Sequence, residues 1–285
     1  MIYLSHGVVP RWNIDRISHA LFVPERFLSL HLQRRCTEYV PLSEAFEGRG
    51  DALTIDDATY GGLQAALLAR RYGHAVSWFV NGMHVEYGLP YFPFQLSYML
   101  DDTLETDCEF EGRNWRLRGN IDRRVLRQHL KHRYMRMRDQ EEIRELVHEV
   151  SRSLNVDPAA MEKPLRTVTP AEIGSAVAAG IDVQNHGWSH LNPAHLSDPD
   201  RTAEALLNEA YLSQFRDVAT RVYAPPFGSQ VSLTSSVIRC MLLADRQLGP
   251  GHQAGNIVNR QDLLKQQPAI IASAETTLGF SCGVQ

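Results

Sequence analysis

Cysteine is scarce and poorly placed for metal or disulfide chemistry. The four in the chain, Cys36, Cys108, Cys240 and Cys282, are widely scattered with no C-x-x-C pair, which excludes a zinc knuckle and a disulfide framework and leaves reduced thiols. Long apolar runs are missing as well: no stretch reaches the roughly 18 residues that a membrane-spanning helix needs. The opening "MIYLSHGVVPRWN" has neither the basic nor the apolar region of a secretory leader. Positive charge is not in surplus, because 29 Lys and Arg stand against 33 Asp and Glu for a net charge of −4. That balance excludes a global pull toward nucleic acid or anionic membrane, so any anion site must be local. A cytoplasmic protein with no nucleic-acid partner and no transmembrane segment is expected.

What is present suits a packed α/β chain. At 285 residues and 44% hydrophobic, one domain over residues 1–285 is the natural reading. Short apolar runs rich in β-branched and aromatic residues predict strands at "IYLSHGV" (2–8), "TEYVPL" (37–42), "ALTID" (52–56), "AVSWFVN" (75–81), "IDVQNHG" (181–187), "RVYAPP" (221–226), "CMLLAD" (240–245) and "AIIAS" (269–273). Amphipathic helices lie between several of them: "GLQAALLARRYG" ends at Gly73, "TPAEIGSAVAAG" runs from Thr169 to Gly180, and "DPDRTAEALLNEAYLSQF" follows an Asp-Pro start. Alternation of this kind implies a parallel sheet, closed or nearly closed.

One segment breaks the rhythm. Residues 120–156, with the basic "RRVLRQHLKHRYMRMR", read as a helical insertion whose apolar positions pack on the sheet and whose charges face water.

Three short stretches carry chemistry. In "LTIDDATYGG" the neighbours Asp56 and Asp57 end an apolar run where a strand finishes. Two like charges there either cap the helix that begins near Thr59 or answer to a bound cation. In "QNHGWSHLNP" the pair His186 and His190 has a spacing that lets both imidazoles face one point, though His190 and His195 are also close. In "RVYAPPFGS" two prolines stiffen a strand end and Gly228 permits a sharp turn, which would hold the Phe227 N–H in one direction.

Taken in order, these stretches resemble the polysaccharide deacetylase family, metal-dependent hydrolases that remove acetyl groups from sugars. The T-F-D-D-G motif reads Thr54-Ile55-Asp56-Asp57-Ala58, the H-[ST]-x-x-H motif reads His186-Gly187-Trp188-Ser189-His190, and the F-A-Y-P-[YF]-G form of the third reads Tyr223-Ala224-Pro225-Pro226-Phe227-Gly228. The departures are Ala58 for a glycine, Gly187 for Ser or Thr, and Ala224 where many members have an arginine. The resemblance implies a distorted (β/α) barrel of about seven parallel strands. It also implies a divalent metal, zinc before Co, Ni, Fe or Mn, on Asp57, His186 and His190, with Asp56 as base and the Phe227 N–H beside Pro226 at the oxyanion. The late L-x-H motif that supplies a general acid in many members is absent, the last histidine being His252 in "GPGHQAGN". His6, on the first strand, takes that role by the arrangement in one branch of the family.

The implied substrate is an N-acetyl or O-acetyl sugar or oligosaccharide, and the basic insertion together with the lack of a leader suggests a phosphorylated or lipid-linked one. An amide or imide hydrolase on the same barrel, or a silent carbohydrate-binding protein, is the alternative. His74, His84 and His148 read as surface residues, Trp188 as packing beneath the metal loop, and "YGLPYFPFQLSYML" as core and loop.

Overall fold

The sheet is laid down by β1 (Ile2–Ser5), β4 (Ala52–Asp56), β5 (Ser77–Val80), β8 (Asp182–Asn185), β9 (Val222–Tyr223) and β10 (Gln247–Leu248), all parallel, in the order β1-β4-β5-β8-β9-β10. This computed structural model describes residues 2–13, 15–215, 222–227 and 247–248. The sheet is curled into part of a barrel. Within β4 and β5 every residue is buried, as a parallel sheet covered on both faces requires. Among the described residues two small pairs complete the strands: β2 (Val8–Val9) beside β3 (Val23–Pro24), and the hairpin β6 (Asp107–Phe110) with β7 (Arg113–Arg116).

The helices are α1 (Glu25–Arg34), α2 (Leu42–Phe46), α3 (Tyr60–Arg71), α4 (Gly82–Tyr87), α5 (Phe92–Asp102), α6 (Asn120–Tyr134), α7 (Gln140–Leu154), α8 (Pro170–Ala178) and α9 (Asp198–Leu212). Local chemistry explains their ends. Thr59 accepts the Gly62 N–H at 3.0 Å as the cap of α3, and Thr169 and Glu172 form a reciprocal capping box on α8. Gly73 leaves α3 at φ +84°, a left-handed value that favours glycine. Since Thr59 caps α3 itself, the capping explanation for Asp56 and Asp57 falls away.

Three expectations need correction. "TEYVPL" forms no strand: Val40 donates to Asp51 and Tyr39 accepts from Ala75, but Pro41 lacks a donor and leads into α2. The stretch 92–102 within "YGLPYFPFQLSYML" is helix α5, started by Pro93 in its first turn. His74 and His84 are buried, whereas His148 is exposed. "CMLLAD", "AIIAS" and His252 lie outside the described residues.

The stretch 120–156 is indeed two helices. Leu126, Leu130 and Tyr134 on α6, and Ile143, Leu146, Val147, Val150 and Leu154 on α7, are buried, and both helices pack on α5.

One close approach positions the rim of the sheet. Gly7 has φ +136°, and a Cβ there would meet the Gly61 carbonyl carbon at 2.4 Å; a Cβ on Gly61 would meet the Val8 oxygen at 2.7 Å. The glycine pair after the aspartates therefore lets the exit of β1 lie directly on the start of α3, and this carries His6 to the strand ends that hold Asp56 and Asp57.

Candidate metal centre

Asp57 leaves β4 with φ +68°, His190 has φ +56° and Phe227 φ +66°. Left-handed backbone at a residue with a Cβ costs on the order of 1–3 kcal/mol each and persists only where the surroundings over-determine it. At two of these three residues a buried aromatic donor holds the carbonyl. Trp78 Nε1 donates to the Asp57 oxygen at 2.8 Å, and the Tyr134 hydroxyl donates to the His190 oxygen at 3.3 Å.

The turn brings Asp57 Oδ1 to 3.1 Å from His190 Nε2 and 3.6 Å from His186 Nε2. One ligand atom from each of the three residues lies within 4.8 Å of the others, and all three residues are buried. His195, exposed in a 3-10 turn, is not among them, which resolves the choice that spacing left open. The far side of each ring is committed. His186 Nδ1 donates to the Ala224 carbonyl at 2.7 Å, leaving Nε2 as a lone pair. His190 Nδ1 lies 3.1 Å from the Tyr134 hydroxyl oxygen; with that hydroxyl's proton spent on the His190 carbonyl, Nδ1 donates and Nε2 is again a lone pair.

Asp57 Oδ1, His186 Nε2, His190 Nε2 and Asp56 Oδ1 are buried without a hydrogen-bond partner. At about 1–3 kcal/mol for each unsatisfied buried group, four such atoms would consume a large part of a stability of roughly 5–15 kcal/mol. One carboxylate oxygen and two imidazole lone pairs aimed at a common point are what a divalent cation binds, so the residues fit the metal.

The charges agree. Burial alone would raise the Asp57 carboxyl, but His190, with His6 and His186, outweighs it and holds Asp57 well below the usual carboxylate range. Burial, then the neighbouring Asp57, pushes Asp56 well above that range. Burial takes His186 down to about 3 although Asp57 opposes it. Burial likewise lowers His6, with Asp57 opposing and His190 and Lys131 adding to the fall.

A cavity of about 570 Å³ opens on this cluster, lined by His6, Asp57, His190, Phe227, Arg127 and Lys131 among others. His6 thus faces the cleft rather than the core. Phe227 packs its ring 5.0 Å from that of His190, centroid to centroid. Pro226 is buried beside Gly187, where an added Cβ would meet its ring at 3.6 Å. Gly187 itself has φ +82°, so glycine suits the position where Ser or Thr is usual. Trp188 packs on Tyr211 of α9, ring centroids 5.6 Å apart, as expected of a residue beneath the loop.

Several supports were not foreseen. Glu204 on α9 accepts the Ser189 N–H at 2.8 Å and its hydroxyl at 2.5 Å. Asn81 donates to the His186 and Gly187 carbonyls at 2.6 and 3.0 Å, and Asn208 bridges the Val80 carbonyl and Asn185. Tyr91 accepts the Ala58 N–H at 2.8 Å and stacks on His84, ring centroids 4.0 Å apart. The insertion contributes Tyr134, Gln140 to the Ser189 carbonyl at 2.7 Å, and the Met135 carbonyl to Asn192 at 3.1 Å. The one signal available in sequence was the run of Asn and Gln at the ends of β5 and β8, polar residues where apolar ones are the rule.

A parallel α/β sheet with an acid-and-imidazole cluster at its carboxyl edge defines a hydrolase-type barrel. The chain belongs to the polysaccharide deacetylase family, whose sequence profile matches residues 47–241. Among solved structures, the Streptococcus pyogenes deacetylase PplD in complex with acetate is similar at a TM-score of 0.51 and 12% identity, over 84% of this chain and 77% of that one. That likeness shows the fold. A family 4 carbohydrate esterase from Streptomyces lividans in complex with acetate is similar at a TM-score of 0.33 and 12% identity, over 88% of this chain and 94% of that one. No curated relative matches the chain.

Proposed function

We propose that the protein is a metal-dependent carbohydrate deacetylase that hydrolyses an N-acetyl (or O-acetyl) group on a sugar or glycan intermediate. The observation that carries this reading is the convergence of three unpaired buried ligand atoms, on Asp57, His186 and His190, in a cluster that the cleft reaches at Asp57 and His190. These three residues hold the cation, most simply zinc. When bound, the cation polarises the acetyl carbonyl and acidifies water.

The remaining steps belong to the chain. Burial and the neighbouring Asp57 raise the Asp56 carboxyl; positive charge at the adjacent cluster would favour its carboxylate, which takes a proton from the attacking water. The Phe227 N–H, held at a left-handed turn behind Pro226, meets the developing oxyanion. His6 gives a proton to the departing amine as the carbon–nitrogen bond breaks. Acetate and the free amino sugar leave, one water having been consumed.

An unpartnered Asp56 oxygen next to the cluster speaks against a silent binding protein, which has no use for a base there. A cytoplasmic site of action on a biosynthetic sugar, phosphorylated or lipid-linked, is part of the proposal. Metal analysis and acetate release from a panel of N-acetyl sugars test the reading. Wild-type protein should hold about one metal and release acetate, and His186→Ala should lose both. Full metal occupancy in His186→Ala overturns the ligand set.

A further inference from the structure

The basic face of α6 divides sharply by what each cation touches. Arg123 is spent on backbone, donating to the Leu117, Asp101 and Thr103 carbonyls at 3.1–3.3 Å, and Arg133 is paired with Glu111 and Glu149. Arg127 and Lys131 differ. Both line the catalytic cleft and both are half-buried. Arg127 uses Nε on the Ser97 hydroxyl at 2.7 Å, and among the described residues no carboxylate pairs with the rest of its guanidinium. The carboxylate whose charge reaches it, Asp101, is occupied by the Ile17 and Ser18 N–H groups and the Ser18 hydroxyl. Among the described residues no carboxylate bears on Lys131; beyond its burial, the charge acting on it is that of Arg127, a second cation.

Two like charges drawn partly out of water and set against each other are unfavourable without an anion between them. Among the described residues, Asp57 is the only carboxylate lining this cleft, and it is committed to the imidazole cluster. The spacing says where an anion would sit. Arg127, Lys131 and Tyr134 stand at i, i+4 and i+7, one stripe of the helix, and Tyr134 touches His190. At a rise of about 1.5 Å per residue, the two cations lie roughly 4 to 11 Å along the helix from the residue that holds the cluster. Lys131 is near enough for its charge to weigh on His6, the side from which the amine departs in the proposed reaction.

We propose that Arg127 and Lys131 form a subsite for an oxyanion, a phosphate or a carboxylate, carried by the acetamido sugar or its neighbour. The inference rests on the deacetylase reading for its substrate, and it selects among acetylated sugars rather than restating that reading.

The test uses the metal-loaded full chain with N-acetylglucosamine, its 6-phosphate and N-acetylmuramic acid, whose lactyl ether supplies a carboxylate. A charge-assisted contact in a half-buried site is worth about tenfold or more. The ratio of kcat/KM for a charged over the neutral sugar should therefore exceed about ten in the wild type and fall about tenfold in Lys131→Gln and in Arg127→Gln, with partial recovery in Lys131→Arg. Arg124→Gln, exposed on the same helix, should leave the ratio unchanged. Whichever charged sugar shows the larger ratio identifies the source of the oxyanion.

Calorimetric binding of glucosamine 6-phosphate against glucosamine reads the subsite independently of turnover. Lys131-dependent preference for the phosphate in a protein that releases no acetate would sustain the subsite and fail the deacetylase reading. Acetate release with no preference for charge in binding or turnover would overturn the subsite alone.

Discussion

Asp56 and Asp57 are adjacent in sequence, and their surroundings push their carboxyls in opposite directions. Asp57 turns out of its strand at a left-handed φ toward His186 and His190 and is held low mainly by His190 and then His6, while Asp56 stays buried beside that charge and is raised. A base needs the ionised form, so the role assigned to Asp56 depends on positive charge at the neighbouring cluster. Asp56→Asn should keep its metal and its melting temperature and lose about two or more decades of kcat, the scale of a general base. Loss of metal in that variant would make Asp56 a ligand instead.

His6 carries the opposite expectation. As a proton donor it must be protonated, and burial lowers its pKa, so its limb should appear as a fall in kcat with rising pH, at a lower pH than for an exposed imidazole. His6→Ala should retain metal and lack that limb. An unchanged pH profile in the variant, at wild-type rate, would remove His6 from the reaction.

At the scale of elements, the main revision concerns the insertion. Read from sequence, α6 and α7 are amphipathic helices that cover the sheet; their buried Leu, Ile and Val residues pack instead on α5 and the β6–β7 hairpin. Their polar residues also clamp the loop between β8 and α9 from one side while Glu204 of α9 clamps it from the other. Tyr134 is a positioning residue in this scheme, since it acts through His190. Tyr134→Phe preserves the buried ring but removes the hydroxyl that receives the His190 Nδ1 proton. Its metal affinity, read by chelator competition, should fall about 10- to 100-fold, with the melting temperature of the metal-free protein nearly unchanged. Equal metal affinity would show that the hydroxyl only fills space.

For the whole molecule, the buried titratable groups set a pH dependence of stability whose sign can be worked out. Burial holds His84 at about 4 and His186 at about 3, and lowers His6, whereas unfolded imidazoles titrate near 6.5. Between about 4 and 6.5 the unfolded chain therefore binds protons at His84 and His186 that the folded chain does not, and the lowered His6 acts in the same direction. Asp56 and Glu204 act the other way, because burial raises both and the folded chain keeps protons that the unfolded chain has released. The imidazoles outnumber the carboxyls, so the metal-free protein should lose stability as pH falls across that window. Urea midpoints at neutral pH and near pH 5 check this. A higher midpoint at the acidic value would mean that the carboxyls dominate.

Much of this was legible in the chain. The strand–helix alternation, the Thr169 box, the Gly73 exit and the order of the three motifs are local signals, expressed by residues within a few positions of one another, and local periodicity reads them directly. Where sequence reading erred, the cause was again local ambiguity: "TEYVPL" has strand-like residues but a proline at its end, and the aromatic run of α5 hides a helix behind two prolines. What sequence could not decide is which distant groups meet. That His190 rather than His195 pairs with His186 follows from the left-handed turn at His190 and from Tyr134, 56 positions away, closing on it. That Lys131 shares a cleft with His6 follows from the Gly7–Gly61 approach and the docking of α6 on α5. Sequence alone determined which donors the chain possesses and at which strand ends they stand. Their protonation, their orientation and their common target depend on burial and on partners brought from far along the chain, and those exist only once the sheet has curled and the helices have packed.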